Sequence, residues 1–246
     1  MDSITKQEQT FKISLCDTTE FKKLINLIAK QEINELFLIL DSEKINIRFL
    51  NLSNTALTDL NIYSINFVEY EVKDKEILNI RVSDLKRVVS SFKKSDVVTL
   101  TKENNFLIIT KFDGVRTTTF RLGLLGNEYQ EQKLPTLSNN TIIEMDTADL
   151  YNILNNLNKE QSTTIDFKDN VLTFSDDFNT VEINRLEVIK NGISKSKYSN
   201  WLLKLIKNKL TEKTKLSFSK DYPLTIEQRV RGKWDLTHIT TPRLDD

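Results

Sequence analysis

Four times along the chain an alternating, β-branched run stops at a short stretch of helical periodicity and then resumes. In FKKLINLIAKQ the apolar positions are Phe21, Leu24, Ile25 and Ile28, and in LKRVVSSFKKS they are Leu85, Val88, Val89 and Phe92. LYNILNNLNK repeats the spacing with Leu150, Ile153, Leu154 and Leu157, and NWLLKLIKNKLT follows with Leu202, Leu205 and Ile206. Apolar residues at i, i+3, i+4 and i+7 give a helix one dry face and one wet face. Cap chemistry stands at each start, near residues 18, 83, 147 and 199: Thr18 or Thr19, Ser83, Asp146 or Thr147, and Ser199. Such side chains accept from the free N–H groups of a first turn, and Glu20, Asp84 and Asp149 suit the positive end of the helix dipole.

Each helix pattern is preceded by a strand (FKISL, EILNIRV, TIIEM, ISKSKY) and followed by about three more. The second unit turns at KENN and FDG, the third at KDN and SDD, all sequences that favour left-handed or Asx-type turns. The pattern predicts an α+β protein built from four strand-helix-strands units. Residues 123–140, GLLGNEYQEQKLPTLSNN, interrupt it with neither period and hold one of the chain's three prolines. Connections inside a domain usually take about 4 to 6 residues. A gap this long joins separate bodies, so the reading is an N-terminal domain at 1–122, a connecting loop at 123–140 and a C-terminal domain of the same design at 141–246.

The charges are unevenly spread. The 35 acids balance the 35 Lys and Arg residues, yet windows 21–31, 85–95, 150–159 and 200–211 contain no Asp or Glu. They carry Lys22, Lys23, Lys30, Lys86, Arg87, Lys93, Lys94, Lys159, Lys204, Lys207 and Lys209, interleaved with asparagines. One reading is that exposed helix faces are polar and these are basic by accident. Solvated faces usually mix signs, however, because a Glu one turn before a Lys supports the helix. Four acid-free faces suggest a shared anionic neighbour, and lysine without interleaved aromatics suits phosphate oxygens over bases. The expected binding is therefore to phosphate, independent of sequence and sensitive to salt, and duplex DNA as the ligand is what the resemblance described below implies.

Catalysis finds few materials. One histidine, His238, and one cysteine, Cys16, cannot build a zinc site or a nucleophile triad, and the five glycines form no phosphate loop. Asp166, Asp169, Asp176 and Asp177 could in principle hold metal ions for a nuclease, but they fall in turn sequences that use aspartate structurally. The reading is a protein that is not an enzyme and needs no cofactor. No apolar run is long enough to span a bilayer, MDSITKQEQT lacks a signal-peptide core, and a lone cysteine fits a reducing compartment. The expected location is the cytoplasm or nucleoid, or the nucleus if the source is eukaryotic, with no membrane partner.

The C-terminal run TKLSFSKDYPLTIEQRVRGKWDLTHITTPRLDD resembles the end of the PCNA-type DNA sliding clamps, the proliferating cell nuclear antigen family and its archaeal and viral members. YPLTIEQRV is similar to the family's Pro-Leu strand and TTPRL to its terminal Ala-Pro-Arg or Ala-Pro-Lys element. KLPTLSNNTIIEMDTADL resembles the end of the family's interdomain loop, and VSDLKRVVSSFKKSDVVTL its second helix and strand. The resemblance implies two similar DNA-clamp domains and a ring-forming, head-to-tail homotrimer or heterotrimer whose helices line a hole for DNA. Its implied role is a processivity factor in DNA replication and repair. Partners would carry a PIP box, as do DNA polymerase, flap endonuclease, DNA ligase and the clamp loader. The implied peptide pocket comprises Leu50, Leu134, Pro135, Pro223, Ile239 and Pro242, with backbone contacts from Thr240 and Thr241. The implied subunit contact is Phe120 against Ile183 or Leu154 of a neighbour, where residues 114–122 pair with residues 178–186. A clamp-like scaffold that binds proteins without encircling DNA is the alternative.

Overall fold

The first repeat runs β1 (Phe11–Leu15), α1 (Thr19–Ile28), β2 (Glu35–Leu40), β3 (Lys44–Leu50) and β4 (Ala56–Tyr63) in a computed structural model of the protein. The structure describes residues 10–243 apart from 16, 32, 159 and 206, so Cys16, Lys159 and Ile206 lie outside the described residues. A one-turn 3-10 helix, Ser64–Asn66, and β5 (Glu69–Val72) lead to the second repeat: β6 (Glu76–Arg81), α2 (Val82–Ser90), β7 (Val97–Glu103), β8 (Phe106–Phe112) and β9 (Thr117–Gly123). The third repeat is β10 (Thr141–Asp146), α3 (Thr147–Asn156), β11 (Ser162–Lys168), β12 (Val171–Ser175) and β13 (Thr180–Ile183). After β14 (Glu187–Lys190) comes the fourth: β15 (Ser194–Ser199), α4 (Asn200–Leu205), β16 (Lys213–Phe218), β17 (Leu224–Val230) and β18 (Trp234–Thr240).

The predicted order of strand, helix and three strands therefore recurs four times, and residues 124–140 hold neither helix nor strand. Two strands, β5 and β14, stand outside the prediction. The chain divides into two compact units, one formed by residues up to Ile47 with Asn61–Gln130, the other by Arg48–Leu60 with the residues from Glu131 on. This differs from cuts at 122 and 141: the β3–β4 hairpin tip groups with the C-terminal residues, and 123–130 with the N-terminal ones. The first regrouping has a local cause, since the Thr241 N–H donates to the Thr55 carbonyl at 2.9 Å. The second arises because the Leu125 N–H donates to the Asn79 carbonyl at 2.9 Å and Tyr129 meets Phe37 edge to face at 5.2 Å between ring centroids.

Topology repeats as faithfully as sequence order. The strands form a five-stranded sheet, β5-β1-β7-β8-β9, a nine-stranded one in which β14-β10-β16-β17-β18 continues into β4-β3-β2-β6, and a four-stranded one, β13-β12-β11-β15. The orders β5-β1-β7-β8-β9 with β4-β3-β2-β6 make one pair, and β14-β10-β16-β17-β18 with β13-β12-β11-β15 the other. Substituting each strand by its counterpart one half-chain later converts the first pair of orders into the second. The helices supply the apolar stripes that cover these sheets. Phe21, Leu24, Ile25, Leu27 and Ile28 of α1 are buried, as are Leu85, Val88 and Val89 of α2 and Leu150, Ile153 and Leu154 of α3. Each such side chain contributes about 1.5–3 kcal/mol by leaving water.

The caps predicted for α1, α2 and α3 are not realised: Thr18 instead donates its hydroxyl to the Lys93 carbonyl at 2.7 Å, and the Thr19 N–H at the start of α1 donates to the Asp17 carboxylate at 2.9 Å. Asp146 turns away to Lys213, 2.8 Å distant, which holds its carboxyl below the usual range. Strands β6, β10 and β15 run directly into their helices. Helix α4 ends at Leu205, shorter than the predicted window of 200–211, and Asn208 is used in a local turn, accepting from the Leu210 N–H at 2.9 Å.

His238 is sealed in β18, wholly buried, with Nδ1 2.9 Å from the Thr58 hydroxyl of β4. Burial pushes its pKa from 6.5 down to about 4. The unfolded chain binds a proton near pH 6.5 while the folded chain refuses it until about pH 4. The stability from a neutral His238 is thus complete above the first value and is lost progressively toward the second, by about 3 kcal/mol. Glu69, Asp113 and Asp146 are held below ordinary values of 4.5 or 3.8, so their losses come at more acid pH. Urea unfolding midpoints measured from pH 7 to 4.5 should fall for the native chain, and His238→Asn should flatten the slope. An unchanged slope in that variant would place the acid sensitivity elsewhere.

Candidate functional site

Three surfaces gather the residues singled out in the sequence. The first is a helix pair in each unit taken by itself, α1 beside α2 in one and α3 beside α4 in the other. Lys23, Lys30, Lys86, Lys93, Lys94 and Lys209 are exposed. Of the eleven basic positions, Lys30, Lys93, Lys94, Lys207 and Lys209 follow the helices rather than sit on them. Lys22 is committed internally: its ammonium donates to the carbonyls of Ser90 (2.7 Å) and Phe92 (2.9 Å) at the C-terminal end of α2, where the helix dipole welcomes a cation. Arg87 faces Asp84 at 3.2 Å, an exposed pair of small energetic weight. Lys207 donates to Asn155 at 3.0 Å, and with Lys209 it stands over the Tyr151 ring, at 5.4 and 4.3 Å from the centroid.

The second surface is a groove of about 400 Å³ between the connecting loop and the outward face of β14-β10-β16-β17-β18. Strand alternation makes its floor. One row crosses all five strands through Lys190, Ile142, Ser217, Thr225 and Ile239, and a second runs through Lys215, Glu227 and Thr237. Lys215 and Glu227 pair across the strands at 2.6 Å. Leu134 and Pro135 of the predicted pocket form its loop wall, with Leu137 beyond them, and Ile239 lies in its floor. Leu134 is 39% exposed although large and apolar.

The remaining predicted pocket residues are not in the groove lining. Leu50, Pro223 and Pro242 are half-buried in the same unit. Thr240 points inward and is fully buried opposite Leu224, and the Thr241 N–H is already committed to Thr55. The loop itself is pinned by groups that carry no signal in the sequence. Arg48 pairs its Nε with Asp59 at 2.7 Å and donates from a second nitrogen to the Gln132 carbonyl at 2.8 Å. Lys190 donates to the Asn139 carbonyl, and the Asn140 N–H donates to Ser219 at 2.7 Å. Gly192 allows the approach of Asn140, whose carbonyl oxygen would lie 2.5 Å from an added Cβ.

The third surface comprises two sheet edges. Strand β9 ends one sheet and β13 another, and neither has a second neighbour among the described residues. Phe120 in β9 is half-buried on the side of Leu122. Ile183 and Leu154 are buried in the core of the other unit. Beside β13 lies a shallow cleft of about 350 Å³, where Ile153 and Asn156 of α3 face Val181 and Ile183.

Two topologically matched halves, each with two helices side by side and two matching runs of strands, define the DNA-clamp fold. Residues 10–129 match the family described as "Proliferating cell nuclear antigen, N-terminal domain". The DNA polymerase sliding clamp of Pyrococcus horikoshii is 29% identical over 254 aligned residues, covering 96% of this chain and 99% of that protein. DNA polymerase sliding clamp 1 of Thermococcus kodakarensis is 28% identical over 253, with the same coverage. Among solved structures, the proliferating cellular nuclear antigen of Entamoeba histolytica superposes with a TM-score of 0.85 at 18% identity, covering 96% of this chain and all of that one. A chain of the PCNA2–PCNA3 complex of Sulfolobus tokodaii gives 0.83 at 19% identity, covering 94% and 99%. Over nearly its whole length the chain is similar to the DNA polymerase sliding clamps, and its fold is that of the proliferating cell nuclear antigens.

Proposed function

We propose that the chain works as a DNA sliding clamp by closing, as a ring of three, around duplex DNA and holding replication and repair enzymes there. The observation that carries the ring is a match between used and unused edges. Strand β18, the end of a five-stranded set, has β4, the end of a four-stranded set, at its side. Strands β9 and β13 are the corresponding ends of the other two sets, and they lie open. An open edge is a template for pairing, and a head-to-tail ring would pair β9 of each copy with β13 of the next. The role is mechanical: topology retains the ring while weak phosphate contacts let it slide. Among the described residues no group of three or more His, Cys, Asp or Glu side chains could hold a metal ion, and no helix is long and apolar enough to cross a membrane. Loaded on a nicked circular plasmid, the ring should stay bound through gel filtration and be lost once the plasmid is cut; equal retention on linear DNA would favour a scaffold that does not encircle.

The groove under the connecting loop is the proposed dock for a PIP-box peptide, with Leu134, Pro135 and Ile239 receiving its apolar anchors. Anchored peptides concentrate their energy in a few buried side chains. Leu134→Ala or Ile239→Ala should therefore cost about 1 to 2 kcal/mol, roughly ten-fold in Kd by calorimetric titration, with ring mass unchanged. Unaltered affinity in both would move the dock away from this groove.

A further inference from the structure

The connecting loop crosses its groove as a strap held at two points. Arg48 donates to the Gln132 carbonyl at 2.8 Å, and further along the loop Lys190 donates to the Asn139 carbonyl. Between these anchors, residues 133–138 make no hydrogen bond among the described residues. Leu134, Pro135 and Leu137 of that span form the wall of the groove, whereas Arg48 is absent from the lining.

The β3–β4 hairpin aims Arg48 at the loop. Its register is set where the Asn51 N–H donates to the Ala56 carbonyl at 2.9 Å, which brings Arg48 opposite Asp59. Thr58 turns inward to His238, so by strand alternation Asp59 turns to the other face, the one on which Ile239 of β18 forms groove floor. Arg48 is not free to swing away. Its Nε stands 2.7 Å from an Asp59 oxygen, and the Asp59 side chain is only 4% exposed. A charge so far out of water must keep its partner. The guanidinium is planar and rigid, so pairing one nitrogen with Asp59 fixes the direction of the other, which meets Gln132. Lys190 holds the far anchor with a point charge on a flexible, exposed stem, which constrains less.

We infer that Arg48 is a positioning residue for the peptide dock. Through its fork it holds the Leu134–Leu137 wall at a set height over the floor of Ser217, Thr225 and Ile239, and it does so from outside the groove. This rests on the PIP-box reading above and adds the residue that presets the site. A wall left loose has to be ordered at the moment of binding, and that ordering is subtracted from affinity. A wall already pinned lets a short peptide keep what its anchors gain.

The test uses the full chain and a fluorescein-labelled PIP-box peptide. The variants are Arg48→Lys, the pair Arg48→Met with Asp59→Leu, and Ile239→Ala for comparison. Arg48→Lys keeps a cation for Asp59 but has no second nitrogen in a fixed plane to reach the loop. The paired change leaves no buried charge behind, so it carries the test if the lysine variant fails to fold. In both, Kd should rise about five- to ten-fold, through faster dissociation. Trypsin should also cut the peptide-free chain faster after the exposed Lys133, by about five-fold. Ile239→Ala should raise Kd and leave that cleavage unchanged, because it alters the floor and not the anchor. Leu134→Ala should cost less in the Arg48→Lys background than alone, because the wall is already displaced. A Kd within about two-fold of native in both Arg48 changes, with Ile239→Ala weakened, would overturn the role of Arg48 and leave the dock standing. Unchanged cleavage after Lys133 in both would overturn it equally, since the loop would not hang on the fork. A Kd unmoved by Ile239→Ala and Leu134→Ala would remove the dock from this groove and the role of Arg48 with it.

Discussion

Phe120→Asp is expected to leave a folded but solitary chain. Phe120 lies in β9 opposite Ile109, on the same side as the buried Leu122, and is half-buried in the free chain. A neighbour's β13 paired along this edge would cover its remaining exposed surface. An aspartate there keeps partial contact with water in the single chain, so folding forfeits only the apolar burial, on the order of 1 to 2 kcal/mol. Closure would take that carboxylate out of water with no cation assigned to it, a penalty of several kcal/mol at each junction. A charge directed across a strand edge is also the device that natural sheets use to prevent association. Light scattering should give the mass of one chain where the native protein gives three, with an unchanged far-ultraviolet spectrum. A variant that keeps the trimer mass would remove β9 from the junction. A native chain that gains mass only when mixed with sibling chains would assign closure to a mixed ring.

The repeat is legible in the sequence because it depends on short-range periodicity. Helix α1 shows its dry face through Phe21, Leu24, Ile25 and Ile28, and the β11–β12 hairpin shows its turn through Asp169 and Asn170, both left-handed at φ of 52° and 62°. Strands β5 and β14 leave no such mark. EYEV and EVIK are four-residue outer strands that bury no complete face, so charge interrupts the apolar pattern that identifies a strand. The caps differ from expectation because Thr18 and Asp146 find partners 75 and 67 residues away, which no local rule anticipates. The groove is legible only in its loop wall. An apolar residue and a proline in a polar stretch single out Leu134 and Pro135, but the floor joins residues from five strands whose neighbourhood is set by register. Arg48 illustrates the limit. As one basic residue in a strand it carries no signal, yet it joins a nearly buried Asp59 to the backbone of the connecting loop.

Replacing the exposed cations Lys23, Lys30, Lys86, Lys93, Lys94 and Lys209 by Ala should weaken retention on DNA and flatten its dependence on salt, with trimer mass preserved. A lysine that neutralises a phosphate releases condensed counterions, so removing one such lysine should reduce the slope of log K against log salt by about 0.9. Three copies multiply the effect, and a ring that depends on many weak phosphate contacts should show it most clearly near physiological salt. A second physical account competes for part of this set. Lys30, Arg87 and Lys204 lie at or just beyond the C-terminal ends of α1, α2 and α4, where a helix dipole alone stabilises a cation by roughly 0.3–1 kcal/mol. The dipole account predicts that Lys30→Ala lowers the melting temperature and leaves the salt slope intact. The phosphate account predicts the reverse for Lys23, Lys86, Lys93 and Lys94, which have no such structural duty in view. Asp74→Asn and Glu128→Gln, at exposed positions outside the acid-free windows, serve as controls. A change in the controls equal per charge and opposite in sign, with tighter retention and a steeper slope, would mean that overall charge governs binding and that the acid-free helix faces have no special part in it.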